Sequence, residues 1–217
     1  MISALLFDFD GTIGDTAFTI LQTFHRTFTL EGLEDRSDER IRATIGLPLK
    51  DSFLVLHPEI DSKRADELCV TYRDIYRKEA FKTLKMYPGM AEMLNWLRAQ
   101  GYKMAVVSSK RTELIAEMVQ ALRIRDLFDC LIGEDLVRHK KPAPDMALLA
   151  LQKLGITNPA TAVVIGDSAY DIAMGREAHT HTIWASYGYG QRAAVLKEGP
   201  EKIVENPAMI KDALEDF

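Results

Sequence analysis

Cysteine is nearly absent from the chain. Cys69 and Cys130 are the only two, far apart and in no ligand-like spacing, which points to incidental thiols rather than a disulfide framework or a thiolate metal site. The five histidines offer no metal pattern either, since His139, His179 and His181 fall at no consistent ligand spacing. No apolar stretch approaches the roughly 18 residues of a membrane span. The opening MISALLFDFD has too short an apolar part, and no cleavage region, to read as a signal peptide. A cytoplasmic location without membrane engagement is therefore the expectation. Positive charge is not in excess, with 27 Lys and Arg against 32 Asp and Glu and a net charge of -5. With no basic run carrying interleaved aromatics, nucleic acid is not an expected partner.

What is present is a globular composition: 217 residues, 47% of them hydrophobic, enough to bury the core of one domain with an insertion or of two small domains. Short apolar runs rich in Val and Ile predict strands at 2–8, 103–108, 130–133, 162–166 and 181–185. Between them, helix-like segments run at 88–101, 111–122, 144–155 and 169–178. In the first of these, Met90, Met93, Leu94 and Leu97 share one face, with Pro88 before it and Gly101 where it would stop. This alternation predicts an α/β fold, a doubly wound parallel sheet covered on both faces. Residues 16–85 depart from it. They read as amphipathic helices at 16–32 and 62–81 with shorter pieces near 38–56, and IGLPLKDSF at 45–53 marks a turn into a helix. The stripe Phe18, Leu21, Phe24, His25 and Phe28 is expected to be helix core. The division is thus a core of 1–15 and 86–217 with a helical insertion at 16–85.

The first strand ends unusually, in ALLFDFDGTIGDT at 4–16. An extended chain turns alternate residues to opposite sides, so Asp8 and Asp10 can share one side. Two crowded carboxylates need a cation, a proton or a positive neighbour. Candidates stand at other strand ends: Ser108 and Ser109 in VVSSK, Asp167 and Asp171 in GDSAYD, and the lysines of HKKPAPD at 139–145. In a doubly wound sheet these ends can converge. Acids, a hydroxyl and a lysine at one rim would suit a phosphate with Mg²⁺, a hard cation that prefers oxygen ligands.

In this order the motifs resemble the four of the haloacid dehalogenase-like hydrolase superfamily: FDFDGTIGDT, Ser108, Lys141 before PAPD, and GDSAYD. The phosphoglycolate phosphatase and pyrophosphatase branch is similar also in the GYG after the fifth strand. The resemblance implies a Rossmann-like core with residues 16–85 as an α-helical cap domain. It implies Asp8 as nucleophile, forming an aspartyl-phosphate, and Asp10 as general acid and base. Mg²⁺ would be held by Asp8, Asp167 and the backbone carbonyl of Asp10, with Asp171 behind it, bonded to Lys141 or a metal-bound water. Phosphate would be held by Ser108 and Lys141, with Ser109 either donating nearby or capping a turn. Gly11 and Thr12 would form the turn whose N–H groups can face phosphate oxygens. Lys141 fits the family pattern better than Lys140. His179 stands where the family commonly has glycine, which puts the local turn in question.

The expected activity is hydrolysis of a small phosphorylated metabolite such as phosphoglycolate, pyrophosphate or a sugar phosphate, in a monomer or small homo-oligomer. A haloacid dehalogenase is disfavoured because Asp10 is present. A phosphonate hydrolase would need a cap lysine such as Lys50, Lys63, Lys78, Lys82 or Lys85, each of which reads as surface charge. A phosphosugar mutase shares all four motifs and differs in its cap. A catalytically silent phosphate-binding protein is the alternative from another class.

Overall fold

The computed structural model describes every residue, Met1–Phe217. Six strands form one parallel sheet: β1 (Ala4–Phe7), β2 (Lys103–Ser108), β3 (Cys130–Gly133), β4 (Ala162–Gly166), β5 (His181–Ala185) and β6 (Lys202–Val204), in the order β3-β2-β1-β4-β5-β6. The period-2 geometry of a strand sends Leu5, Phe7, Val106 and Ile165 into one apolar cluster. Ala4, Leu6, Val107 and Val164 enter another on the opposite face. Both faces are thereby covered, as a parallel sheet requires. The covering helices are α5 (Met90–Ala99), α6 (Thr112–Ala121), α7 (Asp145–Leu154), α8 (Ala169–Glu177), α9 (Arg192–Lys197) and α10 (Ile210–Glu215). Phe7 pairs with Val106 on one side and Ile165 on the other, so β1 lies where the strand order reverses. The crevice at the carboxyl end of such a strand is where doubly wound folds bind ligands.

Between β1 and α5 the chain forms four helices, α1 (Ala17–Glu31), α2 (Asp38–Arg42), α3 (Leu49–Leu56) and α4 (Ser62–Thr83). The segment leaves and returns side by side: the Asp15 amide donates to Lys85 O at 3.0 Å, and that of Tyr87 to Ile13 O at 3.1 Å. Phe24, Phe28, Phe53 and Tyr72 knit α1, α3 and α4 together through edge-on and tilted ring contacts, the geometry that aromatic quadrupoles prefer. These rings belong to the same apolar cluster as Leu5 and Phe7 of the sheet. The helical segment and the sheet therefore share one continuous interior on that face.

The structure departs from the sequence reading at several points. The sheet has a sixth strand, Lys202–Val204, three residues at the sheet edge, too short to show the alternation that identifies a strand. Phe18 is 65% exposed, because the buried face of α1 runs through Ala17, Ile20, Leu21, Phe24, Thr27 and Phe28. His25 sits at the border of that face, its two ring nitrogens 2.7 and 2.8 Å from Asp35 and Asp38. The expected break in IGLPLKDSF is real: Pro48 precedes α3, and Gly46 adopts φ +103°.

His179 closes α8 with φ +59°, its amide bonded to Arg176 O at 3.0 Å. A left-handed residue here is what glycine supplies without a Cβ penalty. Relief of that strain, partly offset by the greater backbone freedom of glycine in the unfolded chain, sets the expectation for His179→Gly. The substitution should raise unfolding free energy by up to ~1 kcal/mol, read as a higher urea midpoint at unchanged slope.

Candidate active site

The carboxyl end of β1 carries Asp8 beyond the last apolar residue, with its amide still bonded to Ile165 O at 2.9 Å. Its side chain continues the face of Leu6 and meets Lys141, which arrives from the loop after β3. The ammonium of Lys141, a residue 3% exposed, makes three bonds: Asp8 Oδ1 at 2.6 Å, Asp171 Oδ1 at 2.6 Å and Val107 O at 2.8 Å. All three of its protons are thus used. Asp171 belongs to the first turn of α8, where its Oδ2 accepts from Ser168 N at 3.0 Å and Ser168 Oγ at 2.6 Å. That helix start needs such acceptors, and the same carboxylate serves both purposes.

Charge at this point is unbalanced. Asp8, Asp167 and Asp171 are buried with oxygens all within 4.8 Å of one another, and Lys141 supplies one positive charge against three acids. Burial pushes the Asp8 carboxyl up to about 7; Lys141 opposes the shift, while Asp171 and Asp10 add to it. Burial, with Asp171 and Asp8 adding to it, also raises Asp167 well above the usual carboxylate range. Burial works against the Lys141 ammonium too, but Asp171 and Asp8 outweigh it and hold the group charged. A buried, all-oxygen donor set with an unmet need for positive charge fits a hard divalent cation. The surroundings leave little freedom: a Cβ on Gly11 or Gly188 would collide with the Asp167 side chain, and one on Gly166 with that of Asp171. Tyr189 N donates to Asp167 Oδ2 at 2.6 Å and Trp184 Nε1 to Asp167 O at 2.8 Å. The GYG at 188–190 therefore packs around and orients Asp167.

Asp10 faces a different environment. Its Oδ1 accepts from Thr16 Oγ1 at 2.5 Å, and its Oδ2 lies 2.7 Å from the Lys110 ammonium. Lys110 was not singled out from sequence, although it directly follows the two serines at the end of β2. Its ammonium also stands 4.6 Å over the Tyr76 ring of α4. Asp8, Asp10, Ser108 and Lys110 line one cavity of about 360 Å³ between the carboxyl end of the sheet and the helical segment. Beyond Phe7, where β1 ends, the chain turns at Gly11, φ +79°.

Ser109 and the turn residues bond within the protein. Ser109 Oγ donates to Gly46 O at 2.7 Å, tying the end of β2 to the loop before α3. The amide of Gly11 donates to Gly14 O at 2.9 Å, and that of Thr12 to Phe9 O at 3.4 Å, so both are committed to their own turn. Thr12 Oγ1 is buried without a partner, and Tyr187 OH donates to Thr12 O at 3.0 Å. Lys140 pairs instead with Glu134 at 2.8 Å.

A sequence profile described as haloacid dehalogenase-like hydrolase matches residues 5–185. The chain belongs to that family. It is 32% identical over 185 residues to the phosphoglycolate phosphatase of Aquifex aeolicus, covering 85% of each chain. It is 30% identical over 213 residues to the pyrophosphatase PpaX of Oceanobacillus iheyensis, covering 98% of this chain and 95% of the relative. Among solved structures, a haloacid dehalogenase-like hydrolase of Streptococcus pneumoniae superposes with a TM-score of 0.87 over 98% of each chain, at 26% identity. Within the family this chain is a phosphatase, the activity its relatives share.

The raised Asp8 pKa fixes the sign of a pH effect in the metal-free protein. A carboxyl lifted from 3.8 to about 7 in the folded state binds its proton more tightly folded than unfolded, so stability rises as pH falls through 7 toward 4. Urea midpoints in chelator should increase between pH 8 and pH 5. Adding a divalent cation at pH 8 should offset the loss, and the Asp8→Asn, Asp167→Asn double variant should show neither effect.

Proposed function

We propose that the chain hydrolyses a phosphate ester of a small metabolite, dependent on Mg²⁺, through an aspartyl-phosphate on Asp8. The carrying observation is the buried Asp8–Lys141–Asp171 cluster beside Asp167, opening into a cavity that also contains Asp10. Lys141 holds one Asp8 oxygen, leaving the other to attack phosphorus. Ser108 offers its hydroxyl to the phosphoryl oxygens, and Lys141, its three protons committed, acts on them through its charge. Asp8, Asp167 and the Asp10 backbone carbonyl would hold the ion, with Asp171 behind them. Mg²⁺, when bound, supplies the positive charge that lets an anionic nucleophile approach an anionic phosphate.

Asp10, outside that buried cluster, is placed to carry protons. It protonates the departing oxygen, and its carboxylate then takes a proton from the water that hydrolyses the phosphoenzyme. Thr16 and Lys110 hold the two Asp10 oxygens and aim the group. Residues 16–85 act as a cap over this centre, supplying the walls that read the leaving group and exclude water. The named activities of relatives bring phosphoglycolate and pyrophosphate to this chain as first substrates to assay.

Replacement of the two acids separates their roles. Asp8→Asn should abolish both turnover and phosphoenzyme in rapid-quench labelling, because an amide is a poor nucleophile. Asp10→Asn should lower kcat by roughly 10²–10⁴-fold, the usual contribution of a general acid or base. Excess chelator should stop phosphate release, and Mg²⁺ should restore it. Wild-type labelling of Asp8→Asn, or turnover surviving full metal removal, would refute the respective assignment.

A further inference from the structure

Thr16 stands at the N-cap of α1, where a threonine hydroxyl ordinarily accepts from the second or third amide of its own helix. Here it accepts from none of them and donates instead to Asp10 Oδ1 at 2.5 Å. The helix start is served by a residue 173 positions away: the Tyr189 hydroxyl accepts from Thr16 N at 2.5 Å and from Ala17 N at 2.9 Å. Two of the amides that a helix start leaves without partners are thereby satisfied from outside the helix. The Thr16 side chain is left to hold the acid.

Tyr189 arrives from the loop after β5, whose other contacts converge on the same turn. Its amide donates to Asp167 Oδ2 at 2.6 Å, and the hydroxyl of Tyr187 donates to Thr12 O at 3.0 Å. Tyr87, where the helical segment returns to the core, lays its ring against both, with centroids 4.8 Å from Tyr187 and 6.5 Å from Tyr189. The backbones approach closely as well: a Cβ on Gly188 would fall 2.3 Å from Gly11 O, and one on Gly190 2.0 Å from Asp167 O. The Tyr189 hydroxyl has no capacity left for a substrate. Its two lone pairs take the two amides, and its proton faces Gly14 O at 3.4 Å and Asp15 Oδ1 at 3.3 Å. The side chain also lies outside the cavity that holds Asp8 and Asp10. The hydroxyl can therefore reach the reaction only through what it holds.

We propose that Tyr189 is a positioning residue for proton transfer: its hydroxyl fixes the start of α1, and with it the Thr16 side chain that aims the Asp10 carboxyl at the departing oxygen. This deepens the function proposed above and rests on its assignment of Asp10 as proton donor. Lys110 holds the other Asp10 oxygen, but a long lysine side chain can follow a carboxylate that moves. Thr16, anchored through its own amide, supplies the fixed point. Precision matters here because a misplacement of about 1 Å can cost on the order of 10²-fold in rate.

The test separates departure that needs a proton from departure that does not. Phenyl phosphate and p-nitrophenyl phosphate are nearly the same shape, but p-nitrophenolate leaves unprotonated, whereas phenolate, a much stronger base, is aided by a proton. With the purified full chain and Mg²⁺, Tyr189→Phe, which keeps the ring and the amide, should lower kcat/KM for phenyl phosphate by about tenfold and for p-nitrophenyl phosphate by less than about threefold, a partial loss of the roughly 10²–10⁴ that a general acid supplies. Thr16→Ala should show the same selective loss, and Thr16→Ser should recover it. The Tyr189→Phe, Thr16→Ala double variant should lose no more than the single variants, since both substitutions act on one carboxyl. The Mg²⁺ concentration for half-activation should not move, because the Tyr189 amide still holds Asp167. Equal losses on the two esters, no loss, additive losses in the double variant or a raised Mg²⁺ requirement would each overturn this inference alone. Wild-type turnover of p-nitrophenyl phosphate without phenyl phosphate overturns it together with the acid role of Asp10. Turnover of neither ester overturns the hydrolase assignment as well.

Discussion

One ammonium, that of Lys141, decides whether this fold can exist with its site intact. It is buried at the sheet's crevice with every proton bonded, joining Asp8 of the first strand's extension to Asp171 at the start of α8 and to the backbone of β2. Removing one partner of a buried ion pair typically costs about 3–5 kcal/mol, because an uncompensated charge is left behind. The same three bonds bring elements 133, 34 and 30 residues apart in sequence to one point. Holding the site together and holding the carboxyl end of the sheet together are one interaction.

That lysine does not neutralise the centre, and the shortfall connects structure to function. Three acids against one ammonium leave Asp8 and Asp167 with proton affinities raised by burial, a condition relieved by a proton or a cation. Packing enforces it, since Gly11, Gly166 and Gly188 bring backbone so close to the carboxylates that no side chain could intervene. Asp10 belongs to the turn that follows. Bonded to Thr16 and Lys110, it lies outside the buried acid cluster, and two aspartates one residue apart enter different electrostatic environments. The helical segment contributes from above, through Tyr76 against Lys110 and Gly46 against Ser109, so the cavity wall and the reacting centre are mechanically joined.

Much of this was legible in the chain itself. The β2, β3, β4 and β5 runs were bounded by their Val and Ile content, and each stands where expected. Asp8, Ser108 and Asp167 were recognisable because charged or hydroxyl residues at the ends of buried strands have no packing reason to be there, and Lys141 and Asp171 because their motifs resemble those of the family. Lys110 was not legible, since a lysine after a strand ordinarily reads as surface charge and only the turn at Gly11 brings Asp10 within 2.7 Å of it. β6 escaped because three edge residues carry no period. Phe18 misled because an apolar residue one position off a helical stripe looks the same on paper whether or not a neighbour covers it.

The sequence by itself determined the alternation of strands and helices, the helical character of residues 16–85 and the chemical identities at the strand ends. Periodicity and residue type are local properties, and the physics that reads them acts over a few residues. Only the tertiary structure decided which charges meet, that Ser109 bonds Gly46, that the amides of Gly11 and Thr12 turn inward, and that Tyr76 packs beneath the lysine that pairs with Asp10. Each of these depends on the relative placement of segments far apart in the chain, set by the strand order β3-β2-β1-β4-β5-β6 and by the shared apolar interior that seats the helical segment against the sheet.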